Sequence, residues 1–162
     1  MHINGTRVPD KLAAQARPNQ TLLSFLREVM GLTGSKLGCA EGGCGACTVL
    51  ISKKEFNTDK IKHISVNACL MPVLAADGCH ITTIEGIGTV KGDNLHPIQK
   101  AMVDMHGSQC GFCTRKFWEV WIFAHVPEIF FADTVVSHRF YHSWYYCGDL
   151  WTIRQQFHRC TS

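Results

Sequence analysis

Strong charge of one sign is missing from this 162-residue chain: 16 Lys and Arg stand against 13 Asp and Glu, a net charge of +3. No basic run or basic helical stripe occurs, which argues against a nucleic-acid partner. A long hydrophobic run is missing too. The nearest approach, FWEVWIFAHVPEIFF, is interrupted by Glu119, His125, Pro127 and Glu128, too short and too polar to span a membrane. The N-terminus MHINGTRVPDKLAAQ has no apolar core ahead of a cleavage site, so a reducing, cytoplasmic setting is the expectation. Global disorder is excluded by an apolar content of 46% with 18% charged residues.

Other absences are local. Trp and Tyr are absent from the first 114 residues, whereas all four Trp and all three Tyr fall in the last 48. Glycine does the reverse, with 13 of 14 before residue 115 and only Gly148 after it. A break near residue 115 marks either a domain boundary or a change in the origin of the sequence.

The first part is readable as structure. Asn4-Gly5 between short extended runs is a strong hairpin signal. Thr21 is placed to cap a helix whose Leu22, Phe25, Leu26 and Val29 follow the i, i+3, i+4, i+7 pattern, with Gly31 as its stop. β-prone runs follow at Thr48–Ser52, His63–Asn67 and His80–Ile84, the last after an Asp77-Gly78 turn. His96-Pro97 opens a further helix, with proline where it is tolerated. The expected fold class is α+β: a small sheet wrapped on one helix.

What the chain has in quantity is cysteine: nine, an odd number, which in a reducing compartment favours metal ligands or buried thiols over disulfides. Cys39, Cys44, Cys47 and Cys69 give C-x4-C-x2-C-x21-C, and the first three spacings are those of a plant-type [2Fe–2S] loop. Gly38, Gly42, Gly43 and Gly45 let the backbone come close enough to aim N–H groups at sulfur. A zinc site using Cys44 and Cys47 is the alternative, in a zinc-binding interaction protein, although zinc loops do not usually need this spacing or these glycines. Cys110 and Cys113, in QCGFCTRKFW, are a second pair that cannot close a four-coordinate site alone. Cys79 lies outside both groups and reads as a buried free thiol.

The segments GSKLGCAEGGCGACTVLIS, SVNACLMPVLAADGCHITTIEGIG and LHPIQKAMVDMHGSQCGFCT resemble the N-terminal iron–sulfur region of xanthine dehydrogenase, of the molybdenum hydroxylase and aldehyde oxidase family. The resemblance covers roughly residues 1–114. It implies a ferredoxin-like β-grasp domain over 1–86, holding a [2Fe–2S] cluster on Cys39, Cys44, Cys47 and Cys69. A small helical domain would begin over 87–114 and hold a second cluster through Cys110 and Cys113. It further implies FAD and molybdopterin in partner domains or subunits, and leaves a peroxisomal location open beside the cytoplasmic one. The long gap between Cys47 and Cys69, filled by KKEFNTDKIKH, is like that of full-length eukaryotic enzymes rather than stand-alone small subunits of a heteromeric hydroxylase, which remain the alternative.

Here the chain departs from the family pattern. The family reads CGFCTPG where this chain reads CGFCTRK, and no Cys-x-Cys follows. By spacing, Tyr145 and Cys147 fall where the missing pair belongs, so Cys147 is the one further ligand candidate, although WYYCGD does not resemble the family segment. Residues 115–162 therefore read as an aromatic-rich, aberrant tail. The expectation is a truncated or mis-assembled electron-transfer module, not catalytically complete alone.

Overall fold

The computed structural model describes residues 1–56, 58–88 and 94–107. The Asn-Gly signal works as expected. Asn4 and Gly5 both take positive φ, 50° and 82°, as a tight turn with the twist of its flanking strands requires. It joins strand β1 (His2–Ile3) to β2 (Thr6–Arg7), with Ile3 opposite Thr6. A four-residue helix, α1 (Asp10–Ala13), follows.

Helix α2 (Leu22–Ser24) starts at Thr21, whose hydroxyl accepts from the Ser24 amide at 3.2 Å. It widens at once into a π-helical turn over Phe25–Val29, which the 3.6-residue period does not foretell. The apolar stripe still turns inward. Leu22, Phe25 and Leu26 are fully buried, Val29 packs at their edge, and Gly31 takes a φ of 69° just past the end.

Strands β3 (Thr48–Lys54) and β4 (Ile61–Asn67) form an antiparallel hairpin in register from Thr48–Asn67 to Lys54–Ile61. They outrun the expected strands by two residues each, because the KKEFNTDKIKH segment continues the ladder before it turns. Lys54 and Asp59 pair at 2.5 Å near the tip, and Phe56 is wholly exposed there. Strand β5 (His80–Thr82) completes a mixed five-stranded sheet of order β2-β1-β5-β3-β4, in which β1 and β5 are parallel. The expected run to Ile84 stops short, since Ile84–Gly86 turns into a 3-10 helix.

Val49, Ile51 and Ile81 from the sheet meet Leu22, Phe25 and Leu26 from α2, with Val73, Ala68 and Ala76 filling the rest. Cys79 is buried in this core as a free thiol. Past β5, Gln99 accepts from the His96 amide at 2.9 Å and so caps helix α3 (Pro97–Asp104), half of a capping box with proline at the first turn. No helix among the described residues is long and apolar enough to cross a membrane.

Candidate metal centre

Three residues in left-handed conformation shape the cysteine loop over residues 38–47: Ala40, Gly42 and Gly45, at φ 60°, 81° and 68°. Each turns the chain so that successive amides face one way. The Glu41 amide donates to the sulfur of Cys39 at 3.4 Å, and the Cys44 and Gly43 amides add to its effect on the thiol. This convergence, led by the Glu41 amide, holds the Cys39 thiol down at about 7 against an ordinary 9.0, with burial opposing it. A loop that aims N–H groups at sulfur is built for a thiolate.

The Cys44 side chain also helps lower the Cys39 thiol, and Gly38 leaves the Cys44 sulfur its room. A Cβ on residue 38 would lie 2.5 Å from the Cys44 sulfur. Cys47, two residues beyond Gly45, starts the descent into β3 and is buried. Burial pushes its thiol up to about 12, the Cys69 amide pulls the other way, and the thiols of Cys69 and Cys44 stand near enough to add to the rise. Cys44 acts on the thiol chemistry of Cys39, and Cys69 and Cys44 act on that of Cys47, as expected of four cysteines gathered at one site.

Cys69 comes from the opposite side. Its segment leaves β4 at Asn67 and is caught by the start of α2. The Leu23 amide donates to the Ala68 carbonyl at 2.9 Å and the Leu22 amide to Met71 at 2.7 Å. Two helix-terminal donors that lack partners within the helix are satisfied on either side of the fourth cysteine. The Ala68 amide closes the frame on the Cys47 carbonyl at 3.2 Å.

The approach to the loop is fixed from two sides. Arg27 on α2 donates to the carbonyls of Thr33 and Ser35, each at 2.7 Å, and the Gly34 amide donates to Glu85 at 2.6 Å. Glu85 in turn accepts from Thr83, whose amide is held by Asn4 at 2.9 Å. These contacts join residues up to 79 positions apart, so spacing along the chain carries no trace of them. Asn67 was missed as well. Its amide lies between the Cys47 sulfur, 3.9 Å away, and the Gly42 carbonyl at 3.5 Å.

All four predicted cysteines of the first constellation are brought to one end of the sheet. Cys110, Cys113 and Cys147, with residues 115–162 as a whole, lie outside the described residues. Among the described residues no three His, Cys, Asp or Glu side chains are arranged to hold a single ion. Three cysteines from one loop and a fourth from the segment after β4 are a donor set that fits a [2Fe–2S] cluster.

Two family models match the chain: "2Fe-2S iron-sulfur cluster binding domain" over residues 2–74 and "[2Fe-2S] binding domain" over residues 83–117. Fold, cysteine loop and family models together define a protein of the [2Fe–2S] iron–sulfur class. The particular relatives it matches are xanthine dehydrogenases, and the similarity falls on their N-terminal iron–sulfur region. It is 54% identical to the xanthine dehydrogenase of Drosophila pseudoobscura pseudoobscura over 112 residues, 69% of this chain. It spans only 8% of that relative's length. Quinoline 2-oxidoreductase from Pseudomonas putida 86 matches at TM-score 0.52 and 37% identity, over 70% of this chain and 60% of that one. Aldehyde oxidoreductase from Desulfovibrio gigas matches at TM-score 0.56 and 35% identity, over 76% of this chain and 12% of that one. The mixed sheet with few helices is the [2Fe–2S] domain fold these enzymes share.

Proposed function

We propose that this chain is the iron–sulfur electron-transfer module of a xanthine dehydrogenase-like molybdenum hydroxylase. Its first domain, residues 1–86, is a ferredoxin-like β-grasp, its second begins at 87–114, and 115–162 lie outside the family pattern. Cys39, Cys44, Cys47 and Cys69 would hold the first cluster. Cys110 and Cys113 serve the second cluster, with Cys147 as the remaining candidate to complete it. When bound, a [2Fe–2S] cluster supplies a carrier for single electrons.

The protein's own part is to set the conditions for that chemistry. The Glu41, Gly43 and Cys44 amides stabilise negative charge on Cys39. Burial of Cys47 and Cys69 keeps water from half of the site. Arg27 and Glu85 hold the loop entry rigid, so little rearrangement accompanies a change of charge. In this reading the module passes electrons singly between a molybdenum centre and FAD, both carried by partner domains or subunits. The relatives' names point to xanthine, aldehydes and quinoline, which fits a module that relays electrons without touching substrate.

The observation that carries this reading is the convergence of amides on Cys39 beside the Cys47–Cys69 pair. Its test is optical. The anaerobically purified chain should be brown and bleach on reduction by dithionite, and Cys47→Ser should remove the first cluster's share of that colour. A colourless protein carrying one zinc would refute it in favour of the zinc-binding alternative. Co-purification with separate flavin and molybdenum subunits would place the module in a heteromeric enzyme.

A further inference from the structure

We propose that Asn67 sets the reduction potential of the first cluster by donating its side-chain amide to the Cys47 thiolate. The inference rests on Cys47 being an iron ligand, as proposed above. Asn67 is the last residue of β4, paired with Thr48 directly after Cys47, and two residues ahead of Cys69. It is the pivot from which the fourth cysteine's segment leaves the sheet, with the Leu70 amide turning back onto its carbonyl at 3.0 Å. Its half-buried side chain therefore cannot drift from the site.

With Cys47 protonated, the thiol donates to the Asn67 oxygen at 3.9 Å while the Asn67 nitrogen donates to the Gly42 carbonyl at 3.5 Å. Both contacts are long. Once Cys47 is a thiolate it has no proton to give, and the Asn67 oxygen would face an anion. Turning the amide about its terminal bond presents N–H to sulfur instead. A hydrogen bond to a charged acceptor is about twice as strong as a neutral one, and it outweighs turning the Asn67 oxygen toward the Gly42 carbonyl, two acceptors held only at the limit of bonding distance. Gly42 leaves room for the turn, since even a Cβ there would stand 3.4 Å from the Asn67 nitrogen. A donor on a ligand sulfur draws off the charge that reduction adds, and so raises the potential.

The experiment is a mediated redox titration of the full chain, following the first-cluster signal that Cys47→Ser abolishes. Asn67→Leu removes the donor, and Asn67→Asp replaces it with an acceptor of the same shape. Both variants should retain the iron and sulfide of the parent and titrate at more negative potential. A three- to tenfold change in the oxidised-to-reduced ratio is expected for Asn67→Leu, about 30–59 mV for a one-electron couple, and more for Asn67→Asp. Unchanged midpoints with full iron content overturn the proposal and leave the cluster assignment standing. Loss of iron from both variants with the far-ultraviolet spectrum intact also overturns it, assigning Asn67 a structural role only. A parent chain that takes up no iron instead overturns the ligand assignment on which the proposal rests.

Discussion

One methyl group decides how close two cysteines can come. At Gly38 an added Cβ would stand 2.5 Å from the Cys44 sulfur, well inside contact distance, so the thiol would have to swing away from Cys39. Gly38→Ala should therefore leave the sheet folded and strip iron from the first cluster, measured as metal per chain at unchanged circular dichroism. The two ends of the site also differ in acidity. In the iron-free chain Cys39, held at about 7 by its amides, is half ionised near neutral pH, whereas buried Cys47 at about 12 is not. Because the thiolate is the nucleophile, alkylation of Cys39 should rise with pH through about 7 and precede that of Cys47 at every pH up to 9. Peptide mapping after brief iodoacetamide treatment checks this, and equal labelling of both would contradict it. The cysteines and glycines were legible in the sequence because their spacing is local. Asn67 and Glu85 were not, because each acts on a segment 20 or more residues away that only folding brings near, and Arg27 was not, because no spacing rule marks a side chain that reaches carbonyls six and eight residues on.

Among the elements, α2 carries the most weight, since it supplies the core stripe and also braces the segment around Cys69. Phe25→Ala should destabilise the chain by about 3–5 kcal/mol, the usual cost of emptying a fully buried aromatic site. Thr21→Ala, which removes only the cap on Ser24, should cost about 1 kcal/mol. Urea denaturation of the iron-free and iron-loaded chains measures both, and equal losses for the two variants would contradict the ranking. The helix start and its inward face were legible from Thr21 and the spacing of Leu22, Phe25 and Leu26. The widening to a π-turn was not, because a 3.6-residue pattern scores the same faces in either helix. The Asn4-Gly5 turn was equally plain. The parallel pairing of β1 with β5 joins residues 2–3 to 80–81, and no local pattern records such a partnership.

At the scale of the molecule, two [2Fe–2S] family models match the chain, over residues 2–74 and 83–117. The family models end at residue 117, and most of the aromatic-rich stretch lies beyond them. In the proposed reading Cys110 and Cys113 would bring half of a ligand set, and the second cluster would depend on donors such as Cys147. Every part of the account rests on Cys39, Cys44, Cys47 and Cys69 holding two irons and two sulfides. Iron and acid-labile sulfide should therefore be measured per chain on anaerobically prepared protein. The account predicts at least two of each, rising to four if the second cluster also assembles. Zinc in place of iron, or iron without sulfide, would contradict it.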